Sequence, residues 1–230
     1  MRSHARAVVI GGGVVGVGTL YHLAKKGWSD SVLLERKELT SGSTWHAAGL
    51  LPLFNMSYSV GQIHKYSVNF YKELEAETGQ DVGLRQVSNI RLAMNQDRMD
   101  EYRQYAGVAS TIGIDVDFLC PEQIKDIWPL CQTNGLIGAI QHPGDGYIQP
   151  ADLTQAMAKG ARAMGAEIER YTSVIDIEQQ ANGEWLVKTD KGDITCEHVI
   201  SATGNFARQT GKMVGLDIPV IPVEHQFIVT

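Results

Sequence analysis

Residues 7–35 carry the pattern that most restricts what this chain can fold into. Residues 7–10 are a short, all-apolar, β-branched run, which is typical of a parallel strand buried on both faces. The run leads into GGGVVG at residues 11–16, which fits G-x-G-x-x-G, and then into a helical apolar spacing that lasts to about Lys26. A second apolar run at residues 31–35 follows. This order of strand, glycine loop, helix and strand predicts a βαβ unit in a parallel sheet.

Each glycine of the loop has a predicted task. Gly11 permits the tight turn, Gly13 lets the backbone reach a pyrophosphate, and Gly16 lets the helix pack closely on the strand. The phosphates are expected at the helix N-terminus, where N–H groups and the helix dipole favour negative charge. We therefore predict that a dinucleotide binds here, and that the loop contributes Gly11, Gly13, Val14, Val15 and Gly16.

The second strand ends in an acid, Glu35, about 20 residues after the last glycine. An acid in this place accepts hydrogen bonds from the ribose hydroxyls, and it disfavours a 2′-phosphate, so NADP is not expected. The alternative, a glycine-rich hairpin, does not explain Glu35. The motif by itself does not choose between NAD and FAD.

A loop of small and polar residues, SGSTWHAAGL at residues 41–50, follows the βαβ unit. A nicotinamide enzyme would usually continue with a simple helix, whereas here Ser41, Ser43 and Thr44 can donate hydroxyls to phosphate or ring heteroatoms. The alanine and glycine residues of the loop permit close approach of the backbone to a flat cofactor. The alternative is an ordinary Gly/Ser loop in which His46 is a satisfied loop histidine.

Three stretches together resemble the dimethylglycine dehydrogenase and sarcosine dehydrogenase group: residues 8–27 (VVIGGGVVGVGTLYHLAKKG), residues 33–36 (LLER) and SGSTWHAAGL. That group consists of flavoproteins of the D-amino-acid-oxidase-like class, so the resemblance implies FAD. It also implies that the 8α-methyl carbon of the flavin is joined covalently to His46, whose neutral imidazole is a suitable nucleophile. For Trp45 the alternative is packing beneath the loop. The cofactor contacts implied in this segment are Arg36, Gly42, Ser43, Thr44, Trp45, His46, Ala47, Ala48, Gly49 and Leu50.

The resemblance extends to two later segments. Val174 matches the valine whose backbone meets the adenine in this class, with a plain strand valine as the alternative. A buried strand over residues 198–204 ends in Thr203 and Gly204, similar to a second FAD signature in which the strand end approaches the pyrophosphate. Phe206 follows and is a further implied cofactor contact.

The resemblance implies a function as well. A hydride passes from the N-methyl carbon of a small methylated amino acid to FAD, and the resulting iminium hydrolyses to formaldehyde and the demethylated amine. His225 is the candidate catalytic residue, which orients the amine or keeps it unprotonated; the alternative is a strand histidine that faces an interface. The electron acceptor is an electron-transfer flavoprotein or oxygen. Rival hypotheses are a non-catalytic regulatory relative and an amine or amino-acid oxidase with noncovalent FAD.

The expected fold is α/β, with a Rossmann-like FAD-binding domain interleaved with part of an antiparallel-sheet substrate domain. Residues 1–84 and 141–214 are assigned to the FAD-binding domain, and residues 85–140 and 215–230 to the substrate domain. The strand pattern stops at Thr230, so we expect a fragment, or a short chain that needs a partner, and no activity of these residues alone. Tetrahydrofolate enters only if a further C-terminal domain follows.

Periodicity predicts further elements. A helix over residues 59–78 places Ile63, Tyr66, Phe70 and Leu74 on a core face. Residues 138–150 are predicted to be loop-rich, and residues 194–196 and 198–204 to form two separate strands.

Charge and composition exclude several partners. The net charge is −6 without a basic cluster, so nucleic acid is not expected. No apolar run approaches the length of a membrane span. The three cysteines show no metal-like spacing, so we expect no metal site and a reducing compartment. The expected location is cytoplasmic, or the mitochondrial matrix if a eukaryotic presequence is missing.

Overall fold

The computed structural model describes residues 2–224 and residue 226. In chain order its helices and strands are β1 (His4–Ile10), α1 (Val14–Lys25), β2 (Ser31–Glu35), β3 (Leu50–Leu51), α2 (Tyr58–Thr78), β4 (Arg85–Gln86), β5 (Asn89–Ala93), α3 (Gln96–Ile112), β6 (Asp117–Leu119), α4 (Pro121–Ile127), β7 (Gly138–His142), β8 (Gly146–Tyr147), α5 (Pro150–Ala163), β9 (Glu167–Arg170), β10 (Val174–Gln179), β11 (Trp185–Thr189), β12 (Gly192–Ser201) and α6 (Ala207–Met213). Two 3₁₀ turns accompany them, at Ser43–His46 and Gly204–Phe206.

The chain forms two compact units. Unit 1 comprises Met1–Ala47, Glu77–Gln80 and Pro150–Thr230, and unit 2 comprises Ala48–Ala76 and Asp81–Gln149. Residues 48–76, which were assigned from the sequence to the FAD-binding domain, therefore group with unit 2. They are held there because β3 and β4 both pair with β8 and because α2 packs on α3. The assignment of cofactor and substrate to particular segments stays a prediction.

Unit 1 contains a six-stranded sheet in the order β10-β11-β12-β1-β2-β9. The neighbouring strands β12, β1, β2 and β9 are parallel to one another. Strands β10, β11 and β12 form an antiparallel meander. The α/β class and the βαβ unit are confirmed. Because parallel strands end at the same edge, the glycine loop after β1, the acid that ends β2 and the segment after β12 lie at one edge.

The predicted apolar runs form the core of unit 1. Val8, Val9 and Leu33 have no exposed surface, as expected for parallel strands covered on both faces. Helix α1 packs against α5, where a Cβ added at Gly160 would lie 2.6 Å from the Tyr21 ring. This packing holds the start of α1 against the end of β1.

Strand β12 corrects one sequence-based prediction. Residues 194–196 and the first part of residues 198–204 belong to one continuous strand, Gly192–Ser201, rather than to two strands, and this strand ends before Thr203 and Gly204. Its residues 192–196 pair antiparallel with β11, and its residues 195–201 pair in parallel with β1. The side chains of Glu197 and His198 are about half exposed where the two predicted strands join.

Unit 2 contains two three-stranded antiparallel sheets, in the orders β3-β8-β4 and β5-β7-β6. The loop-rich residues 138–150 also contain β7, which is the central strand of the second sheet and buries Ala139 and Ile140. The antiparallel sheet that was expected for the second domain is present.

Helix α2 buries a different face from the predicted one. Phe70 and Leu74 are buried as expected, but Ile63 and Tyr66 are 63% and 57% exposed. The reason is the close approach of α2 and α3 at Gly61, where an added Cβ would lie 2.4 Å from the Ile112 side chain. A glycine contact of this kind selects the packed face, and apolar periodicity does not detect it.

Candidate functional site

The glycine loop is tightly enclosed by neighbouring backbone. Gly11 has φ +112°, and an added Cβ would lie 2.5 Å from the carbonyl oxygen of Ala202, just after β12. A Cβ at Gly16 would lie 1.9 Å from the carbonyl oxygen of Gly11. These two glycines are therefore required by the contact between β1, β12 and α1, in agreement with the roles predicted from the motif.

Two further contacts involve the glycines between them. A Cβ at Gly12 would lie 2.7 Å from Leu39 and 2.8 Å from Glu35, a constraint that the G-x-G-x-x-G pattern does not include. A Cβ at Gly13 would lie 3.1 Å from Thr44 Oγ1. The segment that follows β2 thus folds directly onto the loop.

Glu35 is fixed by two backbone donors. Its Oε2 accepts a hydrogen bond from Gly12 N at 2.6 Å, and its Oε1 accepts one from Lys37 N at 2.8 Å. Each carboxylate oxygen has a second lone pair, so the same group can also accept from ribose hydroxyls. That predicted contact is compatible with the geometry.

The segment after β2 makes two more bonds to the loop. Thr40 N donates to Gly12 O at 2.9 Å, and Val14 N donates to Thr44 Oγ1 at 3.0 Å. Thr40 has φ +69°, which is unusual for a β-branched residue and turns the chain back towards the loop. The sequence did not indicate Thr40, because its contact with the loop is made by the backbone N–H and not by the side chain.

The 3₁₀ turn Ser43–His46 carries the histidine singled out from the sequence. His46 Nδ1 lies 3.1 Å from Gly42 O, and the ring centroids of Trp45 and His46 are 4.0 Å apart. Trp45 is 59% exposed, so it does not pack beneath the loop. An added Cβ at Gly42 would meet no described atom within 4 Å, so the loop is open at this residue.

The other residues of the loop 41–50 that were predicted to contact the cofactor are divided between the two units. Ser43 and Ala47 belong to unit 1, whereas Ala48, Gly49 and Leu50 belong to unit 2. Leu50 pairs with Tyr147 in the small sheet of unit 2. The cofactor contacts of these residues stay predictions.

The segment after β12 also reaches the edge that bears the glycine loop. Thr203 Oγ1 accepts a hydrogen bond from Thr210 Oγ1 at 3.2 Å, and Gly204 has φ +53°. The Arg36 guanidinium carbon lies 3.8 Å from the centroid of the Phe206 ring. Since β1 lies between β2 and β12, this contact spans the end of β1.

Of the other predicted residues, Val174 begins β10 and is half-buried opposite Thr189. Val15 is 67% exposed in the first turn of α1. His225 lies outside the described residues. Among residues 2–224 and 226 there is no group of three or more His, Cys, Asp or Glu side chains arranged to hold a metal ion. No helix in the same part of the chain is long and apolar enough to cross a membrane.

The site combines the features that a dinucleotide requires. A helix N-terminus, a glycine loop closed against backbone, a terminal acid and the ends of three adjacent parallel strands occur in unit 1. Ligands of such sheets bind outside the carboxyl ends of the strands. The glycines leave no space for side chains where the backbone must approach the ligand.

Known proteins share this sequence and this fold. The chain is 42% identical over 229 residues to mitochondrial dimethylglycine dehydrogenase of Mus musculus, covering 100% of this chain and 26% of that protein. It is 36% identical over 234 residues to mitochondrial sarcosine dehydrogenase of Homo sapiens, covering 99% of this chain and 26% of that protein. The chain thus spans about a quarter of the length of these relatives.

A solved structure agrees with these similarities. L-proline dehydrogenase from P. horikoshii matches with a TM-score of 0.88 and 28% identity, covering 94% of this chain and 57% of that one. The model of the family described as FAD dependent oxidoreductase matches residues 6–230, which include the glycine loop, the His46 turn and the segment after β12. The chain therefore belongs to the FAD dependent oxidoreductase family.

Proposed function

We propose that this protein is an FAD-dependent oxidoreductase that oxidises the N-methyl group of a small methylated amino acid of the dimethylglycine or sarcosine type. The observation that supports the proposal is the folding of the segment after β2 onto the glycine loop, where Thr44, two residues before His46, accepts a hydrogen bond from Val14 N. The names of the relatives, dimethylglycine dehydrogenase and sarcosine dehydrogenase, support the substrate class.

The residues of unit 1 hold the cofactor in this proposal. The first turn of α1 faces the pyrophosphate, and Glu35 accepts from the ribose hydroxyls. Thr44 Oγ1 accepts from Val14 N, so its hydroxyl hydrogen can donate to a phosphate oxygen. When bound, FAD supplies the ring system that takes a hydride from a substrate carbon.

The substrate loses a hydride from its N-methyl carbon and becomes an iminium, which water converts to formaldehyde and the demethylated amine. The two electrons leave to an electron-transfer flavoprotein or to oxygen. His225 orients the substrate amine or keeps its nitrogen unprotonated, because hydride departs only when nitrogen has a lone pair to share. Tetrahydrofolate belongs to the scheme only where a further C-terminal domain is present.

His46 is the proposed covalent anchor. A carbonyl oxygen only accepts hydrogen bonds, so the contact with Gly42 O places the hydrogen of the neutral imidazole on Nδ1 and the lone pair on Nε2. Nε2 then forms the C–N bond to the 8α carbon of the flavin. This bond would release the imidazole N–H proton and one proton of the flavin methyl group, and oxygen would take up the two electrons as the external oxidant.

The anchor is tested by the replacement His46→Ala in the full-length protein. Acid-precipitated wild-type protein is expected to retain flavin fluorescence in the protein band, and the variant is expected to retain none. His198→Ala is the matched control, because His198 is a half-exposed histidine in β12 of the same unit. Acid-stable flavin in the His46 variant, or none in the wild type, would show that the anchor is wrong. Turnover on dimethylglycine and on sarcosine then distinguishes the substrates.

The role of Glu35 gives a second expected result. Glu35→Gln should weaken reversible FAD binding by about tenfold or more, because an amide NH₂ would replace one of the two oxygens that accept backbone N–H groups. FAD affinity is measured by fluorescence quenching in a His46→Ala background. Glu38→Gln is the control: Glu38 binds the exposed side chains of Arg170 and Tyr171, so affinity should change by less than about threefold. Equal losses in both variants would contradict a specific role of Glu35.

A further inference from the structure

The rings of Trp45 and His46 contact each other although they are neighbours in the chain. Both residues lie in the 3₁₀ turn Ser43–His46, and their ring centroids are 4.0 Å apart with planes tilted by 41°. A 3₁₀ helix has three residues per turn, so successive side chains point about 120° apart. The rings meet only because both side chains turn towards each other, and the backbone alone does not bring them together.

Burial does not account for this contact. Trp45 is 59% exposed and His46 is also exposed. Single apolar side chains at the surface are common, so the exposure of Trp45 has no functional meaning by itself. The relevant observation is that the indole ring lies against the imidazole of His46.

Two of the contacts of His46 restrain different motions. The hydrogen bond from Nδ1 to Gly42 O, at 3.1 Å, decides which ring edge faces the backbone. It leaves the ring able to tilt about that bond. The Trp45 ring lies against one face of the imidazole and so limits the tilt. Together they direct Nε2 away from Gly42 in one orientation.

We propose that Trp45 is a positioning residue that holds the His46 imidazole in the orientation and tautomer needed for bond formation at Nε2. This inference rests on the proposed covalent attachment of FAD to His46. Trp45 acts through His46 and contributes no proton and no bond to the reaction. A planar side chain of sufficient size should replace it, whereas a small one should not.

The test compares Trp45→Ala, Trp45→Phe and wild type in the full-length protein. The first readout is the rate at which FAD-free protein, mixed with saturating FAD in air, gains acid-stable flavin. Trp45→Ala should slow this rate about 10- to 100-fold because the nucleophile is misoriented, and Trp45→Phe should stay within about threefold of wild type. Reversible FAD affinity, measured separately in a His46→Ala background, should fall by a much smaller factor than the attachment rate on Trp45→Ala.

A second readout needs no flavin. Nitrogen-15 NMR of labelled histidine in FAD-free protein should show His46 with its hydrogen on Nδ1, and Trp45→Ala should show a mixture of both tautomers. Trp28→Ala is the matched control, because Trp28 also contacts a histidine, His198, with ring centroids 5.4 Å apart. The control should match wild type in both readouts.

The proposal is overturned if Trp45→Ala keeps the wild-type tautomer and attachment rate, or if its loss of rate is matched by its loss of FAD affinity. Equal slowing by Trp28→Ala would also overturn it, because the effect would then be general destabilisation. Wild-type protein without acid-stable flavin would instead refute the covalent attachment, and the tautomer comparison would still decide the role of Trp45.

Discussion

Gly16→Ala is expected to abolish retention of FAD and to lower the free energy of unfolding by about 3 kcal/mol or more. The added Cβ would lie 1.9 Å from the carbonyl oxygen of Gly11, which is backbone and cannot rotate away. The loop cannot shift towards β12 either, because Gly11 is already closely packed against the carbonyl of Ala202. Flavin absorbance of the purified protein and urea unfolding measure the two effects.

Gly18→Ala is the matched control in the same helix. An added Cβ at Gly18 would meet its nearest neighbour, Met157 Sδ, at 3.6 Å, which is ordinary van der Waals contact. Alanine is favoured over glycine inside a helix by about 1 kcal/mol, so Gly18→Ala should keep its flavin and gain up to that amount. If the two variants behaved alike, the close approach of α1 to the Gly11 carbonyl would be wrong.

Asp145 and His142 are expected to give unit 2 two opposing pH dependences of stability. Asp145 is 1% exposed and His142 is fully buried. Asp145 Oδ1 accepts from Leu53 N at 2.9 Å, but Oδ2 and both ring nitrogens of His142 have no hydrogen-bond partner among the described residues. The rings of Phe54 and Tyr105 lie 5.9 and 5.4 Å from the His142 ring.

These surroundings shift both pKa values. Burial raises the pKa of Asp145 from 3.8 to about 6, against the lowering effects of the Leu53 N–H, Arg91 and His64. Burial, and then the charge of Arg91, lower the pKa of His142 from 6.5 to about 4. Tyr105, with its pKa raised by burial to about 12, does not titrate in this range.

The signs of the two contributions are opposite. Folded Asp145 keeps its proton from about pH 4 to 6 while the unfolded chain releases it, so its contribution to stability declines as the pH rises through this window. Between about pH 4 and 6.5 the His142 side chain binds a proton in the unfolded chain but not in the folded one. Its contribution to stability is therefore present above pH 6.5 and is lost as the pH falls towards about 4. In the wild type the two changes nearly cancel.

Removing one group should expose the other. As the pH rises from 4 to 6.5, the free energy of unfolding of Asp145→Asn should increase by about 3 kcal/mol. As the pH rises from 4 to 6, that of His142→Gln should decrease by about 3 kcal/mol. Urea titrations of both variants and of wild type at several pH values measure these slopes. If both variants kept the slope of the wild type, the buried pair would not titrate in this way.

Local patterns predicted the parallel-strand part of unit 1 well. The β-branched run of β1, the spaced glycines and the acid at Glu35 are all readable within a stretch of about 30 residues. The path of α2 was predicted less well. Its buried face depends on the contact between Gly61 and Ile112, which are distant in the sequence, and apolar periodicity carries no information about such a contact.

The sequence by itself determined that a dinucleotide-binding βαβ unit is present, and that His46 lies in a loop of small residues after it. Only the tertiary structure decided how that loop is held. Gly12 O accepts from Thr40 N, and Thr44 Oγ1 accepts from Val14 N. The imidazole lies between Gly42 and Trp45. The physical reason is that hydrogen bonds, backbone dihedral angles and side-chain rotamers depend on which distant residues come into contact. The spacing of residue types, in contrast, can be read directly from the sequence.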